Sequence, residues 1–126
     1  MIEDGEATGL GRSLSTVSVP VPLDELPQAI ERFGLNPYLV TVAADGRPRA
    51  TSVTVKWQRD LLMVGAGRRT AENVSENEQV ALLWPAPQPG DHALIVDGWA
   101  AVYDSPETNL VVFIQPGKAV LHVSKG

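Results

Sequence analysis

The spacing of apolar positions changes near Pro37 from a helical period to a strand period. From Pro22 to Phe33, Leu23, Leu26, Ala29, Ile30 and Phe33 recur at three- and four-residue intervals, Asp24 and Glu25 stand near the start, and Gly34 can supply a left-handed stop. This spacing predicts a short amphipathic helix. Asn36-Pro37 then breaks the chain, because a proline drives the residue before it out of the helical region. Tyr38 to Ala43 is β-branched and apolar, Asp45-Gly46 is a strong hairpin signal, and Arg49 to Trp57 returns with alternation. A period of two puts Thr51, Val53, Val55 and Trp57 on one face and Ser52, Thr54 and Lys56 on the other.

Gln58-Arg59-Asp60 turns into Leu61 to Val64, a near-continuous apolar run suited to a strand buried on both faces. Gln79 to Trp84 reads as another strand, stopped by the proline- and glycine-rich loop Pro85 to Gly90. His92 to Tyr103 is a long strand expected to bend at Gly98, and Leu110 to Gln115 and Lys118 to Val123 flank Pro116-Gly117, which reads as a turn. Met1 to Ser18 has no sustained apolar period and reads as a tail, which leaves residues 19–126 as one domain. Many short strands with short connections predict a small closed or partly closed β-barrel.

At 126 residues the chain has room for one hydrophobic core. It contains no cysteine, which excludes disulfide scaffolds, thiolate metal sites and cysteine nucleophiles. No apolar run approaches the roughly 20 residues of a membrane-spanning helix, so no membrane partner is expected. Glu3, Asp4 and Glu6 stand where a secretory signal would be basic, so the expected address is cytoplasmic. The net charge of −5 argues against a nucleic-acid footprint. Charge is nevertheless uneven, for Gly46 to Arg69 holds Arg47, Arg49, Lys56, Arg59, Arg68 and Arg69 against Asp60 as its only acid. Such an excess can focus a field on a small anionic ligand, or can lie scattered over solvated hairpins.

Spacing bears on that choice. Gly65-Ala66-Gly67 leads into Arg68-Arg69-Thr70, and Ala71 to Asn77 is polar and compatible with two helical turns. Thr70 reads as an N-cap whose hydroxyl serves the amide of Glu72 or Asn73. Two arginines just before the first turn are electrostatically odd, because that end of a helix already carries about half a positive charge. A bound anion resolves the conflict, and amides, guanidinium groups and a hydroxyl together suit a phosphate. A solvated, salt-screened loop is the other reading. Lys56 adds a further charge if its strand runs beside this turn.

The stretches YLVTVAADGRPRATSVTVKW, LLMVGAGRRTAENVSENEQVALLWP and ALIVDGWAAV, in this order and spacing, resemble the flavin-binding split β-barrels related to pyridoxamine 5′-phosphate oxidase. That family includes small FMN-binding proteins of similar length, and the resemblance runs from Asn36 to about Tyr103. It implies a mainly β fold, a split barrel of six to seven antiparallel strands with short flanking helices, and a homodimer with FMN at the subunit interface. Carried over by position, it implies that Thr51, Ser52, Val53 and Thr54 run along the flavin, largely through backbone groups, with Lys56 near the cofactor. Met63 and Val64 match positions that approach the ring and ribityl chain. Arg69 and Thr70 match the phosphate-binding pair, with Arg68 beside them, and Asn73, whose pairing with Val74 belongs to the pattern of the small FMN-binding proteins, is expected with them among the cofactor-binding residues. Ala93 stands where the oxidases have a flavin-contacting glutamine. The oxidases' long segment after the late strand is reduced here to Asp104 to Asn109, and their C-terminal arginine–histidine motif is missing, so a true pyridoxamine phosphate oxidase is not expected. Related barrels bind the deazaflavin F420 or haem.

The resemblance implies an oxidoreductase or electron carrier that meets a small-molecule substrate or a redox partner. The alternatives are an F420-dependent reductase, a non-catalytic flavin- or haem-binding module, and a structural dimer that has lost its ligand. In a flavoprotein the ring does the chemistry while the protein supplies position and shielding, so no catalytic side chain is assigned. His92 and His122 titrate nearest neutrality but are more often packed or rim residues. Glu72, Glu76 and Glu78 read as a solvated helix face, and no cluster has metal-ligand spacing. Trp84 is expected in the core, and Trp57 or Trp99 at an interface or flavin edge.

Overall fold

Alternation along each strand decides which side chains turn inward, and the inward sets meet in one core. The structure, a computed structural model, describes residues 18–105 and 109–123. The tail expected over Met1 to Ser18 therefore lies outside the described residues except for Ser18, as does the centre of the loop expected between Asp104 and Asn109. Strand β1 (Ser18–Val21) is followed by a 3-10 turn (Leu23–Glu25) and helix α1 (Leu26–Phe33). Strands β2 (Tyr38–Val42), β3 (Pro48–Ser52), β4 (Lys56–Gln58) and β5 (Leu61–Gly65) lead to helix α2 (Arg68–Glu76). Strands β6 (Gln79–Trp84), β7 (His92–Ser105) and β8 (Asn109–Val123) complete the chain.

The eight strands pair antiparallel in the order β3-β2-β6-β7-β8-β5-β4, with β1 added to β8. One edge of β8 runs along β7, while the other takes β5 against Val111–Ile114 and β1 against Ala119–His122. The two end strands, β3 and β4, are joined directly by residues 53–55. The amide of Val53 donates to the Pro37 carbonyl at 3.0 Å and that of Val55 to Leu35 at 2.8 Å, which carries the β2–β3 register past the end of both strands. The sheet thus closes as a mainly β split barrel.

Leu39, Leu62, Val64, Leu82, Leu94, Val96, Val112 and Ile114 fill the interior, and α1 covers it with Leu26, Ala29 and Ile30. Trp84 is buried as expected, and its indole N–H donates to the Gly34 carbonyl at 2.8 Å. Gly34 ends α1 at φ 99°, the left-handed region that glycine enters at no steric cost.

Five expectations are corrected. Among the described residues the strands number eight rather than six to seven, partly because β1 begins at Ser18, where the stretch read as a tail ends. Arg49 to Trp57 divides into β3 and β4, because residues 53–55 bond onward to Pro37 and Leu35 but Pro37 has no N–H to return the bond, so the ladder is incomplete there. Pro116-Gly117 is not a turn: the β7–β8 register passes from Asp97 opposite Lys118 to Gly98 opposite Pro116, leaving Gly117 as a bulge in one continuous strand. Pro116 falls where the second edge of β8 changes partner, a position that tolerates a residue without an N–H. Finally, β5 is buried on one face only, because Leu61 and Met63 are half-buried on the outside of the barrel. The helix expected from Pro22 also begins later. Leu26 donates to the Leu23 carbonyl that Pro27, lacking an N–H, cannot reach, so the first turn is 3-10.

The tip of the β4–β5 hairpin is the two-residue loop Arg59-Asp60, and Arg59 is the only non-glycine residue with positive φ, 60°, among the described residues. Left-handed backbone costs a side-chain-bearing residue roughly 1–2 kcal/mol, partly offset by the greater unfolded freedom of glycine. Arg59→Gly should therefore raise stability by up to about 1 kcal/mol. Urea denaturation tests this, and a lower midpoint would contradict it.

Candidate ligand-binding site

Along the seam that closes the barrel, Ser52, Thr54 and Lys56 point outward and are exposed, while Val53 and Val55 are buried. The expected alternation over this stretch holds. Because the Val53 and Val55 amides are used toward Pro37 and Leu35, the strand geometry turns those of Ser52 and Thr54 to the opposite edge. That edge pairs with no strand among the described residues. Asn36 stands opposite Thr54 in this register, and its Nδ2 donates to Thr54 Oγ1 at 2.7 Å, which fixes the outward face of the seam. Thr51 turns inward instead, where its buried hydroxyl oxygen has no hydrogen-bond partner.

Lys56 lies directly opposite Met63 on the outer face, and the same row continues across β5 to Phe113 and Ala101. Val64, one residue on, faces the core. Tyr103 meets Phe113 edge to face with ring centroids 6.4 Å apart, and Trp99 is half exposed on the same side. A period of two carried through the two long strands places Phe113 beside Met63 and Tyr103 against Phe113 on the same outer face.

Helix α2 opens from Gly67 in extended backbone, with no side chain capping it and no acidic residue in its first turn. The amide of Ala71 reaches the Gly67 carbonyl at 3.0 Å, so Arg68 and Arg69 form the first turn itself rather than preceding it. Both are exposed. Thr70 is therefore not the N-cap: it turns inward and is 4% exposed, on the same stripe as Ala71, Asn73 and Val74. Asn73 is also buried, and its Nδ2 donates to Thr41 Oγ1 on β2 at 3.1 Å. Several first-turn amides are left without helical partners beside two guanidinium groups, a donor set suited to an anion. A depression of about 770 Å³ lies along this helix, lined by Arg68, Arg69, Ala43, Glu72, Asp104 and other residues.

Other candidates separate from this region. His122 accepts from or donates to the Ser18 hydroxyl through Nδ1 at 3.1 Å, tying β1 to β8, and His92 is exposed at the start of β7. Glu72, Glu76 and Glu78 are exposed. No group of three or more His, Asp or Glu placed to hold a metal occurs among the described residues, and no helix there is long and apolar enough to cross a membrane.

No protein-family model matches the chain. Uncharacterized proteins of Mycobacterium bovis and Mycobacterium tuberculosis are each 38% identical to it over 58 residues, 44% of this chain. The match spans only 41% of the length of those relatives. Among solved structures, a putative pyridoxamine 5′-phosphate oxidase from Listeria innocua is similar over 82% of this chain and 100% of its own, at 20% identity and a TM-score of 0.65. An F420 reductase is similar over 68% of this chain and 88% of its own, at 18% identity and a TM-score of 0.54. An FAD-binding protein from Mycobacterium smegmatis is similar over 82% and 94%, at 16% identity and a TM-score of 0.59. At these identities the likeness establishes the fold, and the chain has the split-barrel fold of the pyridoxamine 5′-phosphate oxidase-like proteins.

The orphaned Thr51 hydroxyl yields a further expectation. A buried polar group without a partner costs about 1–3 kcal/mol, so Thr51→Val should be neutral or stabilising by thermal denaturation. A clear loss of stability would mean that the hydroxyl has a partner.

Proposed function

We propose that this chain is a flavin-binding protein that holds FMN by its phosphate at the start of α2 and works as an oxidoreductase or electron carrier. The observation that carries this reading is the uncapped first turn of α2, with Arg68 and Arg69 exposed on it and no acid to balance them. Its position one short turn beyond β5, on a fold shared with an FAD-binding protein and a pyridoxamine 5′-phosphate oxidase-like protein, favours a flavin phosphate over an arbitrary anion.

In this reading the roles divide by burial. Arg68, Arg69 and the free amides of α2 hold the phosphate, with Thr70 packing the turn from below. The unpaired edge at Ser52 and Thr54 offers backbone donors and acceptors to a planar heterocycle, with Thr51 and Val53 holding that edge against the core. Lys56 supplies a cation on the outer face, and Met63 beside it excludes water, with Val64 fixing β5 underneath. When bound, the flavin ring supplies reversible exchange of hydride or electrons with a small-molecule substrate or redox partner.

A homodimer belongs to the same proposal. Tyr38, Leu83, Ile95 and Val120 form one outward row across four strands, with Val40 and Ala81 beside it. An apolar sheet face of this kind is usually covered by another chain. We take residues 19–126 as the folded unit and the cytoplasm as its setting. The likeness to an F420 reductase supports a deazaflavin as the second reading, since a phosphate-bearing deazaflavin would use the same cradle.

Arg69→Ala should weaken FMN binding by about 1.5–3 kcal/mol for each charged hydrogen bond lost, with riboflavin binding unchanged. Isothermal titration of both ligands tests this, and unchanged FMN affinity would remove the phosphate assignment. The visible spectrum of the protein after incubation with FMN, F420 or haem and removal of free ligand should show retained FMN. Retention of F420 alone would select the deazaflavin reading, and of haem alone a haem-binding module. Ile95→Glu should convert the dimer to a monomer in light scattering, whereas a monomeric wild type would refute the dimer.

A further inference from the structure

The buried stripe of α2 contains one amide side chain where an aliphatic one would pack. Asn73 is 5% exposed and its partner Thr41 is 1% exposed, so both polar groups have left water for a single 3.1 Å bond between helix and sheet. Such a pair adds little net stability, because the desolvation of both groups offsets most of the bond. It does add direction. The burial of Val74 and Ala71 is non-directional, whereas a rotation or shift of the helix by one residue would leave the Asn73 amide and the Thr41 hydroxyl both unpaired in the interior. The bond therefore selects one azimuth for α2, the azimuth that leaves Arg68 and Arg69 outward.

We propose that Asn73 is a positioning residue that acts through Thr41: it does not touch the cofactor but fixes the orientation of α2, and with it the phosphate cradle at the helix start. This rests on the phosphate reading given above. It changes the role of Asn73 from a cofactor contact to a latch one helical turn behind the contacts.

The test uses the full chain and compares FMN with riboflavin, which differ only in the phosphate. Thr41→Val keeps the shape of Thr41 but removes the hydroxyl, Thr41→Ser keeps the hydroxyl, and the pair Asn73→Leu with Thr41→Val replaces both groups by apolar ones and so avoids an orphaned amide. The ratio of FMN to riboflavin affinity should fall about tenfold in Thr41→Val and in the double variant, the scale of one hydrogen bond. Riboflavin affinity should not move, and Thr41→Ser should retain the wild-type ratio. The double variant should also melt near the wild type, which separates loss of orientation from loss of fold. The proposal is overturned if both variants keep the wild-type ratio while Arg69→Ala loses it, or if FMN and riboflavin weaken in parallel. A wild type that binds both ligands equally, with no effect of Arg69→Ala, would overturn the phosphate reading itself and the latch with it.

Discussion

The barrel depends on the pairing of β7 with β8, a ladder that runs from His92 opposite Val123 to Ser105 opposite Asn109. Every strand but β2, β3 and β4 bonds directly to one of these two. A ribbon of this length must bend to close a barrel, and the bend requires a close approach of two backbones. A Cβ at Gly98 would stand 2.5 Å from the Gln115 carbonyl oxygen, and one at Gly117 2.5 Å from the ring of Trp99. The extra residue at Gly117 sharpens the local twist and lets one strand serve β5 on one half and β1 on the other. The closed seam and the placing of α2 beyond β5 both follow from that division.

Periodicity made much of this legible and left out what periodicity does not report. The helical spacing of Leu26, Ala29, Ile30 and Phe33, and the alternation of Val53 and Val55 with Ser52, Thr54 and Lys56, were readable because each element faces one core. The bend at Gly98 was also visible, as a glycine within a strand. The bulge opposite it was not, because Pro116-Gly117 carries the composition of a turn and only the register against β7 shows that the chain does not reverse. Thr70 looked like a cap because it is the first good capping residue before the polar helical run. The helix starts earlier because Gly67 adopts the extended conformation of an N-cap, a position where glycine ranks about level with threonine, and composition alone does not choose between the two.

The candidate site is legible unevenly for a related reason. Arg68, Arg69 and Lys56 were found by charge, and charge survives on the outside of any fold. Asn73 was found within a pattern, but its partner Thr41 lies 32 residues away on another element, and no local spacing marks the pair. The aromatic side chains beside Met63 came from strands whose ordinary sequence-level fate is the core. Their exposure follows from the single-sided burial of β5, β7 and β8, which is a property of the barrel rather than of any strand.

The three tryptophans occupy three different environments on one small barrel. Trp84 is buried with its N–H bonded to Gly34, Trp57 is half-buried against the core, and Trp99 lies half exposed across Gly117. Emission from Trp84 should be blue-shifted and insensitive to dissolved quenchers, while that from Trp99 should respond to whatever settles on the outer sheet. The intrinsic fluorescence of the chain thus contains separate optical reports of its interior and of its surface, without any label being added.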